Sequence, residues 1–146
     1  MKYFSKDQIE YWYRKYIPEK IRDFIRNSIP FWIQLRYFSI RAKKFDFEQQ
    51  GHGEAKKLIE LCEKFQINNG YYVDIGASDG WTSSATFPFA KSNNFSGLSI
   101  EPDGLKFKKM KFIYKNFNNT HLSNSKVTPE NIISLLKEFD VPKNFD

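Results

Sequence analysis

Residues 71–80 read YYVDIGASDG. Tyr71 to Ile75 form a short run rich in aromatic and β-branched side chains, the composition of a buried strand. Gly76 and Gly80 then bracket three small or polar residues, so the run ends in a loop where a ligand can approach the backbone. The flanking sequence decides whether this is a lone strand or one of a parallel set. On the N-terminal side INNG (67–70) is a turn. Before it, Glu54 to Phe65 has helical periodicity, with Leu58, Ile59, Leu61, Cys62 and Phe65 as a buried stripe.

On the C-terminal side the same alternation continues. Ser83 to Lys91 is a predicted helix interrupted at Pro88, SNNFSG (92–97) a turn, and LSIE (98–101) a second short strand stopped by Pro102. DGLKFKKMKFIYKNF (103–117) predicts a helix with Leu105, Phe107, Met110, Ile113, Tyr114 and Phe117 for packing and its lysines on a solvated face. NNTHLSNSKV (118–127) holds a third short strand. TPENIISLLKEF (128–139) predicts a helix with Thr128 as N-cap, Pro129 in its first turn and Glu130 near its positive end. Helices alternating with short strands from residue 54 predict an α/β domain with a parallel sheet.

Residues 1–48 differ in character, and the predicted domain organisation is a basic, aromatic helical extension (1–48) followed by the α/β part (49–146). Residues 1–45 hold 11 Lys/Arg against 4 Asp/Glu, a charge of +7. Residues 46–146 hold 12 against 13, a charge of −1. A neutral ligand-binding half argues against nucleic acid as the partner. Residues 3–28 read as helix broken near Pro18, and Pro30 opens a second helix. The aromatics there, Trp12, Phe24, Phe31 and Trp32 among them, are numerous enough to cover a face of the α/β part, and packing is the expected role. The competing reading is a surface helix in peripheral contact with an anionic membrane or a partner. The apolar run around Ile29 to Ile40 contains Gln34 and Arg36 and is too short to span a bilayer. No secretory signal pattern opens the chain, and a cytoplasmic location is expected. The single cysteine, Cys62, precludes an internal disulfide and reads as core. His52 and His121 lie far apart, no zinc-ligand spacing occurs, and no metal is expected.

The glycine loop narrows the ligand. A P-loop is excluded because no G-x-x-x-x-G-K-[ST] is present. The dinucleotide fingerprint is also missing, since Ser78 stands where its second glycine belongs. Asp79 inside the loop would repel a pyrophosphate, which disfavours an NAD-dependent oxidoreductase. It suits a ligand with cationic groups and no phosphate, such as S-adenosylmethionine. Asp74 adds a second carboxylate at the strand end. Glu101 closes the second strand, where a carboxylate can accept both hydroxyls of a ribose.

These segments carry a resemblance. YYVDIGASDGWTSSATFPF (71–89), FSGLSIEPDG (95–104) and NSKVTPENIISLLKEFDVPKNFD (124–146) resemble, in order, the FkbM-type family of S-adenosylmethionine-dependent methyltransferases. The resemblance spans about residues 50–146. It implies a Rossmann-like class I methyltransferase fold and O-methylation of a sugar or glycan-related acceptor. The implied cofactor-binding residues are Asp74, Gly76, Ala77, Asp79, Gly80 and Glu101, with Glu101 on the ribose. Members of that family continue into a further strand bearing an acidic motif, so the sheet is expected to be incomplete and the chain to be the cofactor-binding part of a longer enzyme. No catalytic residue is assigned, and His121 is expected to be structural. The alternative is a non-catalytic interaction module on a vestigial scaffold of the same kind.

Overall fold

The computed structural model describes residues 11, 13, 15–43, 53–82 and 84–143. The chain divides into two compact units, residues 1–37 and 38–146. His52 and Trp12 lie outside the described residues.

In the first unit, Pro18 ends one helical stretch and precedes α1 (Glu19–Ser28). Its carbonyl accepts from the amides of Ile21 and Arg22, both at 3.0 Å. Pro30 does the same for α2 (Phe31–Lys43), which begins in this unit, as its fixed φ and missing N–H suit a helix start. The aromatics of this unit differ in exposure. Phe24 is 71% exposed and Trp32 66%, whereas Phe31 and Leu35 are half-buried.

The second unit contains α3 (Glu54–Lys64), β1 (Gly70–Ile75), α4 (Phe87–Lys91), β2 (Phe95–Ile100), α5 (Gly104–Ile113), β3 (Thr120–Ser123) and α6 (Ile132–Glu138). The three strands form a parallel sheet in the order β1-β2-β3. Ile75 pairs with Ile100 and Ile100 with Ser123, so all three strands end in register. The loops that follow them emerge together at the carboxyl edge of the sheet.

Both faces of the central strand are covered, as a parallel sheet requires. Leu98 and Ile100 point to one face and meet Leu135 of α6, with Tyr71, Val73, Val127 and Leu136 around them. On the other face Phe87 and Ala90 of α4 pack with Met110, Ile113 and Tyr114 around α5, beside Tyr72 and Leu122. Gly97 is small for a reason. The Tyr72 ring crosses β2 above it, where an added Cβ would sit 2.3 Å from that ring. The ring thereby reaches β3, its hydroxyl 2.8 Å from the Thr120 hydroxyl. Burial pushes the Tyr72 hydroxyl up to about 12.

Several expectations are corrected. β2 begins at Phe95, so half of the predicted SNNFSG turn is strand. The parallel pairing of Gly70 with Phe95 overrides the turn propensity of Ser96 and Gly97. The helix predicted from Ser83 begins at Phe87. Pro88 stands in its first turn rather than interrupting it, and the Ser84 hydroxyl accepts from the amides of Thr86 (3.2 Å) and Phe87 (3.1 Å). The last helix begins at Ile132, not at Pro129. Asn131 turns its side chain back to accept from the Thr128 amide at 2.8 Å, forming a separate turn. Glu130 is exposed there, and a hydrogen bond from the Thr128 hydroxyl is the main influence lowering its carboxyl below the ordinary value. Leu61, Phe65 and Leu105 were expected to pack and are 48%, 64% and 64% exposed. Cys62 is half-buried and lines a groove of about 340 Å³ with Leu58, Ile67 and Tyr71 beside β1.

Candidate functional site

The site is built from the three loops at the carboxyl edge. In the loop after β1, Gly76, Ser78 and Gly80 all have positive φ, at 85°, 56° and 73°. Such values favour glycine, so Ser78 is the strained member. The two glycines serve different ends. Nothing lies within 4 Å of a Cβ placed on Gly76, which leaves the loop open to a visiting molecule there. A Cβ on Gly80 would lie 2.6 Å from the Tyr114 ring and 2.7 Å from Met110. Gly80 is therefore the place where the loop seats against the residues of and after α5.

Six of the loop amides are already engaged. Gly76 and Ala77 both donate to the Ile100 carbonyl, at 2.9 and 3.0 Å, and Gly80 donates to the Ala77 carbonyl at 2.8 Å. Ser78 donates to Glu101 Oε2 at 2.7 Å. Trp81 and Thr82 donate to Asp79 Oδ1 at 3.0 and 2.8 Å. An anion cradle needs converging free N–H groups, and these six amides point at protein acceptors. The α4 N-terminus also starts seven residues after Gly80, in a helix of five residues. The predicted helix start at Ser83, three residues after Gly80, is thus moved four residues further from the loop.

The three carboxylates have distinct surroundings. Glu101 is buried and spans two loops, accepting from Ser78 with Oε2 and from the Asp103 amide with Oε1 at 2.9 Å. Each oxygen keeps a lone pair for a further donor. Asp79 is buried, and Oδ2 accepts from the Thr82 hydroxyl at 2.6 Å while Oδ1 caps the turn. Asp74 faces the α4 side, where Oδ2 accepts from the Thr86 hydroxyl (2.6 Å) and the Ser84 hydroxyl (3.3 Å). Of the residues expected at the site, Gly76, Ala77, Asp79, Gly80 and Glu101 lie in two adjoining loops. Asp74 supports the segment beyond them.

Two contributors were not foreseen in these roles. The buried Tyr114 donates its hydroxyl to the Gly80 carbonyl at 2.9 Å. Burial, then Tyr72 and Asp74 nearby, holds that hydroxyl well above its ordinary value, so it stays a donor at neutral pH. Asn124, just past β3, donates to the Glu101 carbonyl at 2.7 Å and joins the third loop to the second. The in-register ends of three parallel strands are the signal that could have flagged Asn124. Nothing in helical spacing distinguishes Tyr114 from its packed neighbours. His121 is exposed on β3, its ring 5.9 Å from that of Phe139, away from the carboxylates. Among the described residues no group of three or more His, Cys, Asp or Glu is placed to hold a metal ion.

No family model and no curated protein sequence matches the chain. Among solved structures, the chain is similar to that of EvdMO1, at 20% identity over 68% of this chain and 26% of the other, with a TM-score of 0.45. The N-terminal domain of EvdMO1 with SAH bound gives 21% identity over 68% and 49%, with a TM-score of 0.45. The same domain in the presence of SAH and D-fucose gives 20% over 60% and 42%, with a TM-score of 0.37. The chain thus spans between about a quarter and a half of the lengths of those chains.

Proposed function

We propose that the loops after β1, β2 and β3 form the S-adenosylmethionine site of a methyltransferase related to the FkbM type, with a hydroxyl of a sugar or glycan-related molecule as acceptor. The observation that carries this reading is the buried Glu101 carboxylate beside a glycine loop in which six amides are already engaged. Such a loop has little to offer a phosphate. A ligand presenting ribose hydroxyls and cationic groups, but no phosphate, suits the lone pairs that Glu101 retains and the open space over Gly76. The bound cofactor would supply a methyl group on a sulfonium, which the protein places in line with the acceptor oxygen.

In this reading Glu101 receives the ribose, Gly76 and Ala77 border the ligand, and Gly80 holds the loop against Tyr114. Asp79 and Asp74 maintain the loop's shape. Binding of S-adenosylmethionine or its demethylated product to the folded state raises the melting temperature. At about 100 times the dissociation constant the stabilisation is about 2.7 kcal/mol. A thermal melt with each ligand, beside NAD and ATP, tests this. Stabilisation by a phosphate-bearing nucleotide, with none by S-adenosylmethionine, would refute it.

A further inference from the structure

α2 carries exposed aromatic side chains that the cofactor reading does not use. At about 100° per residue, Trp32, Ile33, Arg36, Tyr37 and Ile40 fall on one arc of about 140°. All five are exposed, Trp32 at 66%, Tyr37 at 53%, Ile40 at 51% and Ile33 at 40%. Phe31, Gln34 and Leu35 lie off that arc and are half-buried. Four large apolar side chains, Trp32, Ile33, Tyr37 and Ile40, thus stand exposed along one arc with Arg36 among them, an arrangement that water alone does not favour.

Charge and length choose among the occupants of this face. The segment 1–45 carries +7, and Arg36 lies within the stripe itself. The 13-residue helix is about 20 Å long against a hydrocarbon core of about 30 Å. No described helix is long and apolar enough to cross a membrane. A short helix with Trp and Tyr on its outer side, in a strongly basic segment, has the composition of an element lying in the plane of an anionic bilayer. Preceding it, α1 adds Phe24 and Ile21, exposed at 71% and 49%, with Lys20 also exposed. We propose that the Trp32–Ile33–Tyr37–Ile40 face of α2 docks on an anionic lipid surface, with its tryptophan and tyrosine at the headgroup level. This proposal is independent of the cofactor reading.

The test is co-sedimentation of the intact chain with vesicles of phosphatidylcholine, with and without phosphatidylserine. Binding is expected only to the phosphatidylserine vesicles, weakening as salt rises because the attraction is screened. The variant Trp32→Ser with Tyr37→Ser alters exposed side chains only. It should keep the circular dichroism spectrum and lose at least about tenfold in vesicle affinity. Arg36→Glu is a second, charge-only variant and should also weaken binding. Absence of vesicle binding, or equal binding by these variants, would overturn the proposal. So would a concentration-dependent rise in molecular mass that the serine variant abolishes, which would assign the face to a second copy of the chain. Salt-sensitive binding to duplex DNA with no preference for phosphatidylserine vesicles would also overturn it.

Discussion

Gly80 and Gly76 look interchangeable in the sequence, yet they constrain the molecule differently. Gly80→Ala places a methyl group 2.6 Å from the Tyr114 ring, on a backbone whose φ of 73° already disfavours a side chain. It should destabilise the fold by about 2–4 kcal/mol, adding overpacking to left-handed strain; urea unfolding measures this. Gly76→Ala meets nothing within 4 Å and costs only the backbone strain of about 1–2 kcal/mol. At Glu101 the comparison is with Glu130. Glu101→Ala removes the acceptor of two part-buried amide hydrogen bonds, for about 1–3 kcal/mol, and should weaken S-adenosylmethionine binding. The exposed Glu130→Ala should leave cofactor affinity unchanged. Equal and negligible losses in both variants would remove Glu101 from the ribose. Glu101 was legible as a strand-end acid. Its bonds to Ser78 and Asp103 were not, because they depend on how two loops approach through the sheet.

Among the elements, the sheet was the most readable part. YYVDI and LSIE announced strands through composition, and the alternation with helices announced their parallel pairing. The boundaries were less readable where a tertiary contact outweighs local propensity. Ser96 and Gly97 read as turn residues, yet Gly97 is in β2 because only a glycine leaves room for the Tyr72 ring. Gly97→Ala should therefore be strongly destabilising, and much of the loss should be recovered in a Tyr72→Ala background. A double-mutant cycle by denaturant titration detects that coupling. The same tyrosine predicts an alkaline transition. Its folded hydroxyl titrates near 12 and the unfolded one near 10, so the folded state holds the proton more tightly. That stabilisation is complete below pH 10 and is lost as pH rises toward 12, on the order of 3 kcal/mol. Tyr72→Phe should flatten the fall in stability over this window.

At the scale of the whole molecule, the separation of charge between the basic segment 1–45 and the near-neutral remainder was plain from composition. The destination of the N-terminal aromatics was not. Packing on the α/β part and surface display draw on the same aromatic and basic composition, and composition alone does not separate them. The residue set of the candidate site was legible because strand ends, glycines and acids follow one another in sequence. The engagement of six loop amides by protein acceptors required the fold. Isothermal titration calorimetry of the folded chain and of Gly76→Val, with S-adenosylmethionine and with NAD, tests the central claim most directly. Saturable binding of S-adenosylmethionine by the unaltered chain, lost in a folded Gly76→Val variant, with no heat from NAD, is the predicted result. Binding of NAD in place of S-adenosylmethionine, or S-adenosylmethionine affinity unchanged by the valine, would contradict it.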